Sequence, residues 1–285
     1  MIKFKEIDFI KEVMTTHCYQ NLRSPSVLGI SEENINTINN KQFCASILIE
    51  FINGKTLRDD LKNLNKENIK LPKNELLYLL YAIDLAKAIE FLHDKNLIHR
   101  DIKPENIMII KDFNLKLIDF GISKTCNDTA NFTTSEKGTI FYEPPENVVN
   151  DIESNIEGNF IKSDFSLERK ISKAFDIWAF GLIVSEIFGC EIPWGEEFKK
   201  NPNKIILALM SKESFPIPNS VEDEKIFYLI KNCTMIKPKE RIKIKTVIYC
   251  LIQIFKEKLC EISNKYDITK LFNGKESNFI YLLFV

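Results

Sequence analysis

The 23 residues from His99 to Gly121 hold His99-Arg100-Asp101, then Lys103 and Asn106, then Asp119-Phe120-Gly121. Asp101 is a carboxylate set among cations and can accept a proton from a hydroxyl group. Asn106 and Asp119 carry hard oxygens, the donors that Mg2+ prefers, and Lys103 brings a positive charge that can neutralise developing negative charge. One aspartate in a loop is ordinarily a cap or a solvated charge; the ordered combination is what points to chemistry. Asp119 follows Asn106 by thirteen positions, enough for a strand, a turn and a second strand to return both side chains to one place.

This order resembles the catalytic segment of the eukaryotic protein kinases, H-R-D-x-K-x-x-N followed by D-F-G. The resemblance implies that Asp101 orients and deprotonates the substrate hydroxyl, that Asn106 and Asp119 hold Mg2+, and that Lys103 steadies the transferring phosphoryl group of ATP. Farther on, Gly138-Thr139 and Tyr142-Glu143-Pro144-Pro145-Glu146 resemble the substrate-binding strip and the A-P-E motif, with proline in place of alanine. Asp176-Ile177-Trp178-Ala179-Phe180-Gly181 resembles the start of the central helix of the larger lobe. Arg241 matches the arginine that pairs with the motif glutamate, here Glu146. Lys103 and Gly138-Thr139 resemble the serine/threonine class more than the tyrosine class. Thr133, Thr134 and Ser135 are candidate phosphorylation sites, with plain loop hydroxyls as the alternative.

The elements that must position these residues follow from the apolar periodicity. Residues 5–22 read as a short amphipathic helix stopped by Pro25, and strands are expected at Ser26–Ile30 and Phe43–Phe51, joined by an Asn-rich loop over 34–40. Thr56 can cap a helix running to about Leu64. Longer helical patterns occupy 74–93, 175–188, 203–212, 223–233 and 242–260. These elements make the class α+β, and the resemblance implies a two-lobed kinase-like fold with an incomplete small β-rich N-lobe and a mainly helical C-lobe. Residues 1–52 would form the partial N-lobe and 53–260 the C-lobe, with a polar surface insertion near 147–173. Residues 261–285 would be a tail whose apolar end either packs back or frays.

Composition narrows the partners. Lys plus Arg number 39 against 40 Asp plus Glu, a formal charge of -1, which gives no support to a nucleic-acid or acidic-membrane partner. Only Arg23, Arg58, Arg100, Arg169 and Arg241 are arginines, so each asks for a specific account. The seven cysteines are scattered without metal spacing, as in a reduced compartment. The opening residues lack the apolar core and cleavage site of a signal peptide, and the run near Phe175–Phe188 is broken by Asp176, Ser185 and Glu186. These features predict a cytoplasmic or nuclear protein; the resemblance implies serine- or threonine-containing protein substrates and room for a regulatory protein partner.

On the nucleotide side, the resemblance makes Leu48-Ile49-Glu50-Phe51 the hinge strand. Ile49 then guards the pocket, Glu50 to Ile52 offer backbone to adenine, and Met108 floors it. Glu12 resembles the helix glutamate that pairs with the phosphate-binding lysine, and Met1-Ile2-Lys3-Phe4 resembles the end of V-A-I-K, making Lys3 that lysine; a solvated lysine near a terminus is the alternative. No G-x-G-x-x-G occurs in the 285 residues. Weak ATP binding is the resulting expectation, as is a kinase domain cut short at its N-lobe. A kinase-like scaffold with little catalysis is the alternative function.

Overall fold

The computed structural model describes residues 25–37, 40–67, 72–110, 114–120, 123–125, 140–148, 172–189, 191–201, 203–211 and 214–265. The predicted helix over 5–22 lies outside them. An antiparallel hairpin comes first, β1 (Val27–Thr37) with β2 (Asn40–Ile49), extended by the Glu50 amide donating to Ser26 O at 2.9 Å. The Asn-rich stretch expected as a loop is thus mostly strand. Asn34, Asn36 and Asn40 sit in a two-stranded ladder, where backbone pairing outweighs their low strand propensity.

β3 (Gly54–Thr56) then pairs antiparallel with β5 (Ile107–Ile110), which pairs with β6 (Leu115–Leu117), so β5 is central. Gly54 is required at the edge of this sheet: a Cβ there would lie 2.2 Å from Ile109 O. A two-residue pair, β4 (Leu97–Ile98) with β7 (Lys124–Thr125), joins the two sides of the motif region.

Helix α1 (Leu57–Glu67) starts where Thr56 predicts. Thr56 Oγ1 accepts from the Asp59 amide at 3.1 Å and donates to Asp59 Oδ2 at 2.8 Å, a reciprocal cap of the first turn. α2 (Pro72–Asp94) begins on a proline, which loses nothing at the first turn, and ends at Asn96, whose φ of 58° is the left-handed stop that asparagine tolerates. α3 (Ala174–Gly189) is buried on all sides from Phe175 to Ile187, including Asp176, Ser185 and Glu186. A short helix α4 (Gly195–Lys200) was not foreseen; α5 (Asn203–Met210), α6 (Glu224–Cys233) and α7 (Ile244–Ser263) follow close to their expected places.

The core lies where α2, α3, α6 and α7 meet, around Leu76, Ile83, Trp178, Phe180, Leu182, Leu229, Leu251 and Phe255, all at most 4% exposed. Helix-on-helix packing of this kind buries each apolar stripe against the next. Gly181 lets α3 approach α6: an added Cβ would stand 2.6 Å from Cys233 Cβ and 2.9 Å from Thr234 Cγ2. The architecture is α+β with helices in the majority and small antiparallel sheets, as predicted. Asn147 and Val148, at the start of the polar insertion expected near 147–173, are buried and continue a helical turn begun at Pro145; residues 149–171 lie outside the described residues. Among the described residues, no helix is long and apolar enough to cross a membrane.

Candidate active site

The pairing of β4 with β7 brings the loop 99–106 beside residues 118–120 and Ser123. Asp176, in the first turn of α3, holds the front of that loop. Its carboxylate accepts from the His99 amide at 3.0 Å, the Arg100 amide at 3.0 Å and pairs with His93 Nε2 at 2.9 Å. Burial alone would raise the Asp176 pKa; the His93 hydrogen bond and charge, with the Arg100 amide, outweigh it and hold the group below the ordinary carboxylate range. Arg100, with φ of 71°, turns sharply out of the loop, and its guanidinium lies 5.8 Å from the centre of the Phe175 ring.

His99 is fully buried, and burial holds its imidazole below the ordinary pKa of 6.5, so the ring is neutral. The network assigns its tautomer: Nδ1 accepts from the Asp101 amide at 3.3 Å, which leaves Nε2 to donate to Ile118 O at 3.2 Å. One imidazole therefore spans from the residue before Asp119 to the amide of Asp101. Phe120 packs on it, ring centres 5.0 Å apart.

Asp101, Lys103 and Asn106 come together as a unit. Lys103 Nζ lies 2.7 Å from Asp101 Oδ2. Asn106 Nδ2 donates to the same oxygen at 2.8 Å and to Asp101 O at 2.9 Å. Asp101 Oδ1 is buried and has no hydrogen-bond partner among the described residues. Because its amide nitrogen is committed to Asp101, Asn106 presents Oδ1 to other groups. The Ile118 amide donates to Asn106 O at 2.9 Å, which sets Asp119 beside Asn106 through the backbone. Asp119 is exposed and has a φ of 65°. The donor set of Asn106 and Asp119, hard oxygens on adjoining segments, fits a Mg2+ ion.

Where the sequence predicts the hinge, Glu50 and Ile52 are half-buried, and Met108 is half-buried in β5 between Thr56 and Lys116. The Glu50 carboxylate forms an ion pair with Lys116 of β6, tying the end of the hairpin to the strand that leads to Asp119. Ile49 is 47% exposed. Lys3, Glu12, Gly121, Thr133, Thr134 and Ser135 lie outside the described residues.

The expected pair of Glu146 and Arg241 is present as a fork, Nη1 to Oε1 at 2.7 Å and Nη2 to Oε2 at 2.6 Å. Arg241 also donates to Met235 O at 2.8 Å, Ala174 O at 2.9 Å and Ile236 O at 3.2 Å, and stacks 5.0 Å from the Trp178 ring centre. The residues that sequence reasoning passed over are His93, Asp176 as a loop anchor, Lys116 and Arg58. For Arg58 the available signal was the scarcity of arginine.

The model of the protein kinase domain matches residues 4–250. A probable serine/threonine-protein kinase of Clostridium acetobutylicum is 31% identical over 199 residues, 68% of this chain and 26% of that protein. The serine/threonine-protein kinase cds1 of Schizosaccharomyces pombe is 30% identical over 203 residues, 69% of this chain and 38% of that protein. The interferon-induced, double-stranded RNA-activated protein kinase of Mus musculus is 26% identical over 236 residues, 83% of this chain and 39% of that protein. The chain thus spans between 26% and 39% of the length of these three relatives. With its fold, its motif order and a matching domain model over most of its length, the chain belongs to the protein kinase family.

Proposed function

We propose that this chain is a serine/threonine protein kinase that moves the γ-phosphoryl group of ATP to a protein hydroxyl. The observation that carries the reading is the state of Asp101. One carboxylate oxygen is fixed by Lys103 and Asn106, and the other is buried with no donor from the described residues. Such an oxygen is held ready to accept the proton of a substrate hydroxyl. As the hydroxyl oxygen bonds to the γ-phosphorus and its bond to the β-bridging oxygen breaks, Asp101 takes the proton and ADP departs. Lys103 stands at Asp101 to offset the negative charge of the group in transit.

Asn106 and Asp119 would hold Mg2+, which when bound neutralises phosphate charge. Met108, with the backbone of Glu50 to Ile52, would receive adenine, and Lys3 with Glu12 would serve the phosphates. Residues 53–260 form the unit that carries the reaction, and 1–52 the nucleotide side. The serine/threonine assignment rests on Lys103, on Gly138-Thr139 and on the similarity to two serine/threonine-protein kinases.

The test is transfer from ATP to serine- and threonine-containing proteins by the full chain, with and without Mg2+. Asp119→Asn keeps a side chain that tolerates the left-handed backbone while removing the charge. Mg2+-dependent transfer should fall by about a hundredfold or more, with helical circular dichroism unchanged. Equal transfer by the Asp119→Asn protein would overturn the assignment. Nucleotide binding without any transfer by the unmodified chain would favour the kinase-like scaffold instead.

A further inference from the structure

We infer that Arg58 is a positioning residue that couples the end of the activation segment to the back of the catalytic loop. Its guanidinium, at the first turn of α1, engages three groups from three other elements. Nε donates to Glu105 Oε1 at 2.7 Å, Nη2 donates to the Tyr142 hydroxyl at 2.6 Å, and Nη1 pairs with Glu186 Oε1. Tyr142 in turn donates to Glu186 Oε2 at 2.5 Å, so the hydrogen bonds run in one direction from Arg58 through Tyr142 to Glu186.

The placement of these partners gives the cluster its meaning. Glu105 immediately precedes Asn106 in the turn Pro104–Asn106. Tyr142 closes the turn Ile140–Tyr142, four residues before the Glu146 that anchors the segment to Arg241. Glu186 lies on α3, ten positions after Asp176. Two carboxylates of one buried helix thus hold the loop 99–106 from opposite ends. Asp176 grips the His99 and Arg100 amides directly, and Glu186 reaches Glu105 only through Arg58. Only an arginine fork can bond all three groups at once; a lysine would satisfy one or two.

Burial raises the Glu186 pKa despite the opposing pull of Arg58 and Tyr142, so the cluster also bears on stability. A purely structural ion cluster would show itself in folding alone. Coupling predicts a change at Glu105 and Tyr142 that persists when folding is restored. The inference rests on the proposed transfer reaction for its kinetic arm and is independent of it for its exchange arm.

The experiment compares the full chain with Arg58→Met, Arg58→Lys and the double variant Arg58→Met with Glu186→Gln. The last removes the buried charge that Arg58→Met leaves uncompensated. Amide hydrogen exchange should quicken at 104–108 and 140–148 in all three, while α7 keeps its protection. In the double variant, with the melting transition restored, kcat should stay about tenfold or more below the parent. The KM for ATP should move by less than about twofold, since the hinge is untouched. Arg58→Lys should resemble Arg58→Met and not the parent. A double variant with parental exchange at both segments overturns the inference, as does parental kcat in a chain that transfers phosphoryl groups. Should the parent transfer nothing, the functional reading fails and the exchange arm alone decides the coupling.

Discussion

His99 is neutral, buried and bonded at both ring nitrogens, and this makes it a source of acid sensitivity. Its folded pKa lies below the ordinary 6.5, so on acidification the unfolded chain takes up the proton first. The stability His99 contributes is complete above about 6.5 and is lost as pH falls through the depressed folded value. Asp176 acts in the same sense at lower pH, since its folded pKa is also depressed; Glu186, with a raised pKa, acts in the opposite sense. Urea unfolding of the parent and of His99→Gln between pH 7 and 5 isolates the histidine, because glutamine carries no titratable proton in that range. The parent should lose more stability than the variant across the interval; parallel curves would remove this role. The importance of His99 was legible in the motif, but its function as a ring-shaped strut was not. Nothing in the sequence says that Ile118 and the Asp101 amide flank it, because that depends on the short β4–β7 pairing.

At the level of elements, the Glu146–Arg241 fork joins the helical turn begun at Pro145 to the turn before α7, and it was readable from the family resemblance, which a scarce arginine after Pro238 supported. Arg241 is fully buried at its side chain, and Glu146 is its charge partner among the described residues. Glu146→Ala should therefore destabilise the fold by about 3–5 kcal/mol by stranding the guanidinium, measured by chemical denaturation. A loss below about 1 kcal/mol would mean that the three carbonyl acceptors suffice without the carboxylate. The long helices were legible because their apolar stripes repeat over several turns, and α1 because Thr56 and Asp59 form a cap. α4 was not, since Gly195–Lys200 is too short for a period to emerge. The strands β1 and β2 extend into asparagine-rich sequence because register, once set by a hairpin, carries weak strand formers along.

Across the whole molecule, burial is uneven. α2, α3, α6 and α7 share one core, whereas the hairpin and the residues after it turn Leu28 (62% exposed), Leu48 (62%) and Phe51 (91%) outward. Local opening should follow that gradient, because free energies of opening track the apolar area buried around each amide. In native-state hydrogen exchange, amides of α3 should exchange only through global unfolding, and hydrogen-bonded amides of β1 and β2 at least about a hundredfold faster. Equal protection in α3 and the hairpin would contradict this. The sequence foretold the partition into a small β-rich part and a helical part. It did not foretell the cross-links that hold the site, Lys116 to Glu50 and Arg58 to Glu105 and Glu186, because each joins residues at least 47 positions apart. Pairings at such separations leave no local pattern to read.

On the proposed assignment of Asp119 as a Mg2+ ligand, its φ of 65° sets chemistry and stability against each other at a single position. A side chain in that region costs about 1–2 kcal/mol relative to an ordinary backbone, somewhat less for aspartate. Glycine escapes the cost, while alanine bears it without the aspartate's polar compensation. Asp119→Gly and Asp119→Ala lose the same carboxylate, yet the glycine protein should be the more stable by about 1 kcal/mol in thermal or chemical unfolding. If the two variants unfold alike, the turn relaxes once the aspartate is gone. Otherwise, a lineage freed from the need to hold a cation here would find its easiest gain in robustness at the residue that matters most while the need persists.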